Sequence, residues 1–212
     1  MLTGVAGAGG EVSEAALEEA GHRRGLAAIG PSRRAARPRA ASDAKLVHRA
    51  QVGDAEALEQ LFRRHWPAAH RAAFLVVHDA RAAEDIAQEA FLAAVRALDR
   101  FDRRRPFAPW LHRIAVNRAI DFARARALRR EVDAELALER ASLPAPDGWS
   151  DAVVAALAQL DPEHRAVVVL RYLLEYTPGE IAEMLGLPRG TVNSRLRRGL
   201  DRLRPAVEED AR

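Results

Sequence analysis

Arginine dominates the chemistry available to this sequence. In residues 189–204, RGTVNSRLRRGLDRLR, six arginines accompany one acid, Asp201, for a local net charge of +5. In residues 103–130 nine arginines accompany Asp121, for a net of +8, with Phe107, Trp110 and Phe122 interleaved. A guanidinium is a rigid fork of donors that grips phosphate and can bridge O6 and N7 of guanine. Aromatic rings beside arginines suit unstacked, single-stranded bases. Asn117 lies in the same stretch, and its amide can both donate to and accept from a base edge. Taken singly, Trp110 and Phe122 are more simply explained as fillers of a small core. The two basic surfaces flank residues 131–151, where six acids and one arginine give a net of −5.

The elements that must position these groups read as helices. Thr177, Pro178 and Glu180 form a capping box with proline at the first helical position. Ile181, Met184 and Leu185 then recur at helical spacing, and Gly186-Leu187-Pro188 closes that helix and opens the next. Val192, Leu196, Leu200 and Leu203 form the buried stripe of the second helix. At about 100° per residue Thr191, Ser194, Arg198 and Arg202 fall opposite, with Arg195 and Arg197 flanking them. Two short helices joined by a three-residue turn with glycine match the helix-turn-helix, whose second helix enters the major groove. A basic amphipathic helix can also be no more than a solvated face. The charge density and the small Gly190, Thr191 and Ser194 tip the reading to DNA.

Upstream, residues 1–42 are rich in Ala, Gly and Arg and read as a disordered extension, with a short helix conceivable over 13–20. Helices follow over 43–51, from Gly53-Asp54 onward, over 81–98 and over 107–128. Pro67 lies inside the second of these and should kink or split it. Residues 131–149 read as an acidic, flexible linker, because two prolines and a glycine punctuate its end. Helices return at 150–159 and 161–175, where AVVVLRYLL is apolar but too long and too well capped for a strand. The fold class is therefore all-α, as two small helical domains, 43–130 and 150–205, with a tail at 206–212.

Composition removes several classes. The chain has 212 residues, a formal net charge of +3, 5% aromatic residues and no cysteine. Disulfides, thiolate zinc sites and thiol redox sensing are excluded, which fits a reducing cytoplasm. No apolar run reaches the ~18 residues of a membrane span, and no signal peptide is evident. No membrane insertion is expected, and the simplest location is cytoplasmic.

Three segments carry a family resemblance. AEDIAQEAFLAAVRALDRFD, RPFAPWLHRIAVNRAIDFAR and LDPEHRAVVVLRYLLEYTPGEIAEMLGLPRGTVNSRLRRG resemble, in this order, signature segments of the extracytoplasmic-function (ECF) sigma factors of bacterial RNA polymerase, in the sigma-70 family. The resemblance spans roughly 43–130 and 150–204 and implies regions two and four without the middle domain. It implies that Asp85, Gln88, Glu89 and Phe91 dock on the clamp of the largest polymerase subunit. It implies that the loop from Phe101 to Pro109, with Trp110, Arg113, Asn117, Arg118 and Arg124, reads the minus-ten element and captures a flipped base. Arg189, Thr191, Asn193, Ser194, Arg195, Arg197 and Arg198 would read the minus-thirty-five element. The implied partners are core RNA polymerase, through its clamp and flap, and promoter DNA, with room for an anti-sigma factor. The acidic linker would mimic nucleic acid along the polymerase channels. Two positions depart from the family pattern. Asn193 stands where Lys or Arg is common, and Gly199-Leu200 replaces Ala-Arg.

Two other classes compete. A stand-alone helix-turn-helix repressor or activator would bind duplex DNA tightly without polymerase. A helical metalloenzyme would use Glu84, Asp85 and Glu89 with His78, or His65 with His70. No histidine stands at the Glu-x-x-His spacing of di-iron bundles, so no metal, cofactor or enzymatic activity is expected.

Overall fold

The computed structural model describes residues 36–132 and 149–210, and among these every regular element is helical. The elements are α1 (Ala36–Gln51), α2 (Ala55–Val77), α3 (Ala80–Ala97), α4 (Phe107–Val132), α5 (Asp151–Ala158), α6 (Pro162–Val168), α7 (Pro178–Leu185) and α8 (Arg189–Asp210). A 3₁₀ turn at Leu98–Arg100 follows α3, and a π-helical turn at Val169–Leu173 continues α6. AVVVLRYLL is thus helical, not extended. The expected helix at 13–20 and the body of the acidic linker lie outside the described residues.

Local chemistry accounts for the boundaries. Asp54, Asp79 and Ser150 each cap the following helix by accepting a backbone N–H three residues on. Thr177 and Glu180 make the reciprocal capping box, and Gly186 ends α7 at φ 65° in the left-handed region. α1 starts at Ala36, inside the stretch read as disordered. Pro38 is tolerated there because the first turn needs no N–H donor. Pro67 does not split α2. It sits on the exposed side, while Leu61, His65, Ala69, Ala72, Ala73 and Val76 bury the opposite face on both sides of it. That packing outweighs a proline cost of about 3 kcal/mol. α8 likewise runs past 205, through Pro205 into the expected tail.

The first module packs α1, α3 and α4 around α2. Its outer core holds Val47, Leu61, Phe91, Phe101, Phe107 and Leu111. Buried Asp43 fastens α1 to α2, with its carboxylate 2.6 Å from Arg64 and 3.0 Å from His65. The second module packs α5, α6 and α7 against α8. Gly199 permits the closest approach, since a Cβ there would lie 2.8 Å from Val168 Cγ2. That contact is the reason for glycine at this departure from the family pattern.

The two modules are not separate bodies. One continuous apolar core joins Val76, Val77, Ile86, Val116 and Ile120 of the first to Val153, Val167, Leu170 and Tyr176 of the second. Trp149, read as the last residue of the linker, is 5% exposed and belongs to this shared core.

Candidate docking and nucleic-acid interfaces

Helix α3 carries the first surface. Asp85, Gln88 and Glu89 are exposed, whereas Phe91 is buried, edge-on to Phe62 with centroids 4.9 Å apart. Phe91 therefore forms a floor, not a protruding contact. Above it runs a groove of about 430 Å³ lined by Leu58, Phe62, Leu92 and Val95 among others. Phe62, Leu92 and Val95 are 40%, 54% and 40% exposed. An exposed apolar groove with Glu59 and Gln88 at its edge is a surface made for a protein partner. Asp85 and Glu89 lie to the side of this groove, in a separate hollow with Arg81, Arg118 and Phe122, and their i,i+4 spacing announced that acidic face. The groove itself needs α2, which periodicity did not connect to α3.

The second surface is the start of α4 with the loop before it. Trp110, Asn117, Asp121 and Arg124 fall within one narrow arc, with Arg113 beside them. Trp110 is half-buried, with its ring 4.5 Å from Phe101 and 5.7 Å from Phe107. Phe107 is 3% exposed and Phe122 packs on the shared core, so both are core residues. Arg118 points elsewhere, with its Nε 3.8 Å from Glu89 of α3.

Phe101, which Trp110 packs on, also walls a polar hollow of about 650 Å³, lined by Lys45, His48, Gln51, Asp102, Arg103 and Arg104 among others. The Gln51 amide donates to the carbonyls of Leu98 and Phe101, at 2.9 and 3.0 Å, and so fixes the base of the loop. Arg103 donates to His48 Nδ1 at 2.6 Å. Its cationic donors, an aromatic wall and an amide suit a single base with its phosphate. Sequence reasoning saw the arginine loop but missed Lys45, His48 and Gln51, because only folding brings α1 to it.

The third surface is α8. Arg189, Gly190, Asn193, Arg197 and Arg198 are exposed, and Thr191 and Ser194 are half-buried. Val192, Leu196, Gly199 and Leu203 are buried behind them. Asn193, at the edge of the apolar arc by angle, stands in solvent and does not brace the fold. Arg195 differs from the rest, since its Nη2 donates to Glu163 of α6 at 2.7 Å. Arg202 lies 3.7 Å from Asp161.

The Sigma-70 region 2 family matches residues 61–129, and Sigma-70, region 4 matches residues 156–205. The chain is 33% identical over 180 residues to the ECF RNA polymerase sigma factor SigW of Bacillus subtilis, covering 78% of this chain and 96% of that protein.

The chain belongs to the ECF sigma factors of the sigma-70 family.

The ECF sigma factor SigM of Mycobacterium tuberculosis is 37% identical over 162 residues, covering 76% of this chain and 83% of its own. Among solved structures, CnrH in complex with the cytosolic domain of CnrY superposes with a TM-score of 0.59 at 32% identity, covering 79% of this chain and 98% of that one. The protein is thus a transcription initiation factor, not an enzyme, and it directs core RNA polymerase to specific promoters. Among the described residues no group of three His, Asp or Glu side chains is placed to hold a metal, and no helix is long and apolar enough to cross a membrane.

Polar contacts cross between the two halves of this sigma factor. Glu163 accepts from Arg124 of α4 as well as from Arg195 of α8. The hydrogen bond from Arg124, with the charge of Arg195 behind it, holds this carboxyl below its ordinary range despite partial burial. The Arg165 guanidinium is 8% exposed and donates to the carbonyls of Ala158 and Leu160 in its own module, at 3.0 and 2.7 Å. Its remaining amine donates to the Val76 carbonyl at the end of α2, where the helix dipole favours a cation. Burial lowers the Arg165 pKa to about 10, still far above neutrality. Buried His112 of α4 hydrogen-bonds the Tyr176 hydroxyl at 2.8 Å. The three pairs that cross between the halves, Glu163–Arg124, Arg165–Val76 and His112–Tyr176, were not legible from spacing, since their partners lie 39 to 89 positions apart.

Proposed function

We propose that the three surfaces divide the work of initiation. The exposed side of α3 docks on the polymerase clamp, through the groove of Gln88 and Phe91 and the acidic face of Asp85 and Glu89 beside it. Trp110, Arg113, Asn117 and Arg124, with the hollow edged by His48, Gln51 and Arg103, hold the unpaired minus-ten strand. Arg118 supports this surface from the side by facing Glu89. Exposed Arg189, Asn193, Arg197 and Arg198, with Thr191 and Ser194, read the minus-thirty-five duplex, and Arg195 joins them once it leaves Glu163. Residues 43–130 and 150–205 are the two functional domains, the acidic 131–149 segment follows the polymerase channels, and the protein works in the cytoplasm. CnrH was solved with the cytosolic domain of CnrY, and the apolar groove suits an anti-sigma partner here as well.

The observation that carries this reading is chemical contrast on one chain. A hollow with an aromatic wall suits one flipped base, whereas an exposed arginine helix suits an intact groove. A protein that only occupies duplex DNA has no use for the first. The test mixes the protein with core polymerase and a promoter library randomised in both elements, then selects transcribed templates. Enrichment at both blocks is expected only with the protein present. Equal enrichment by the free protein in a binding selection, without polymerase, would favour the repressor reading.

A further inference from the structure

The minus-ten loop carries three consecutive arginines, Arg103, Arg104 and Arg105, on a stretch of chain outside any helix. Such a loop discriminates between bases only if its backbone is held, because a site loose by about 1 Å loses its geometry. Its own residues supply part of the hold. Asp102 closes the turn, with Oδ1 accepting from the Arg104 backbone N–H at 3.0 Å and its carbonyl from that of Arg105 at 2.9 Å. The rest comes from α1, 47 to 55 positions away along the chain. Gln51 donates to the carbonyls of Leu98 and Phe101, and His48 Nδ1 accepts from the Arg103 guanidinium at 2.6 Å. Helix α1 is a firm base, since Leu46 and Val47 are buried and Asp43 pairs with Arg64 and His65.

We propose that Gln51 and His48 are positioning residues, which set the base preference of the minus-ten loop from α1 without reading the base themselves. The inference rests on the initiation-factor reading and deepens its minus-ten surface. The two positions are i,i+3 on α1, so one face of one helix serves both. Two carbonyls can be met only by the NH2 side of an amide, and both of its hydrogens are used on them. Gln51 acts through Phe101. The carbonyl it holds belongs to the residue whose ring lies 4.5 Å from that of Trp110 and packs edge-on to Phe107. The ring assigned to the unpaired strand therefore rests on one whose backbone Gln51 fixes. His48 acts through Arg103. A guanidinium has no acceptor, so the ring nitrogen facing it carries no proton, and the contact holds Arg103 against the hollow that both residues line.

Substitutions that keep size but change chemistry separate positioning from contact. Gln51→Met keeps the length and withdraws the donors, whereas Gln51→Glu turns a charged acceptor toward two carbonyls. His48→Asn keeps an acceptor near the place of Nδ1, and His48→Ala removes it. The assay is binding of holoenzyme, made from core polymerase and the full-length protein, to fork promoters with an unpaired minus-ten strand. Each base is placed in turn at each position of that strand, and core affinity is measured on the same samples. Wild type should favour one base over the others by about tenfold at the captured position. Gln51→Met should reduce that preference about fivefold, roughly the net worth of one hydrogen bond, and Gln51→Glu should bring it near parity. His48→Ala should reduce it about threefold, with His48→Asn restoring it. Core affinity should not fall with the preference, as it would if the module came apart. His48 is exposed, so its exchange leaves the fold intact. Wild-type preference in Gln51→Glu or His48→Ala, equal losses in His48→Asn and His48→Ala, or preference and core affinity falling together would each overturn the proposal. A wild type that selects a base while the variants select it equally removes the positioning role alone. A wild-type holoenzyme with no preference along that strand removes the minus-ten reading, and this inference with it.

Discussion

Leu92→Ser tests the docking groove with little risk to the fold. Leu92 is 54% exposed on α3, so roughly 90 Å² of apolar surface is free to be covered by a partner. At ~25 cal/mol per Å², covering it contributes about 2 kcal/mol, or roughly 30-fold in the dissociation constant. An exposed side chain of this kind contributes little to folding, so the melting curve should move by less than ~0.5 kcal/mol. Val52→Ser is the matched control. It is 73% exposed at the turn between α1 and α2, does not line the groove, and should change core affinity by less than about threefold. The assay is anisotropy of the labelled full-length protein titrated with core polymerase, with circular-dichroism melts run in parallel. A loss under about threefold at Leu92, or an equal loss at Val52, would refute the assignment of the groove to polymerase.

Three further outcomes follow from individual contacts. Gly199→Ala should destabilise the second module by about 1–2 kcal/mol in urea melts, because the added methyl lies 2.8 Å from Val168 Cγ2 and overpacking outweighs the gain in helix propensity; a more stable variant would mean that α6 and α8 separate at no cost. Arg198→Ala in holoenzyme should cost about 1–3 kcal/mol at one base pair of the minus-thirty-five element, whereas Arg202→Ala should weaken all sequences alike and lower the salt slope by about one; equal effects on promoter and scrambled duplexes at Arg198 would move it to the phosphate class. Burial, and then the charge of His65, depresses His112 from 6.5 to about 3, so protonation opposes the folded state. The stabilisation from a neutral His112 is complete above pH 6.5 and lost as pH falls toward 3, about 2 kcal/mol of it by pH 5. Lowered His70 acts in the same direction, so the comparison is with His112→Gln, which should flatten the difference between pH 7 and pH 5; parallel curves for variant and wild type would count against it.

Local chemistry made much of the molecule legible in advance. Caps at Asp54, Thr177-Glu180 and Gly186, and stripes such as Val192–Leu203, depend on contacts within a few residues, so the chain announces them. The exposed arginines of α8 followed from the same periodicity. Where the reading erred, a distant partner had intervened. Pro67 did not break α2 because packing on the far face outweighs one lost hydrogen bond, and Phe107 became core because neighbouring helices covered it, whereas Phe122 packs on the core as its simpler reading had it.

The sequence by itself determined an all-helical chain, its two modules, its arginine-rich and acidic stretches and its family. Each rests on periodicity, charge along the chain or ordered motifs, all of them short-range quantities. Only the tertiary structure decided that the modules share one core, that Trp149 belongs to it, and that Glu163 holds Arg124 and Arg195 together. It also decided that Lys45, His48 and Gln51 complete the hollow walled by Phe101. These are pairings between residues tens of positions apart. Their energies come from burial and geometry in three dimensions, which no local pattern encodes.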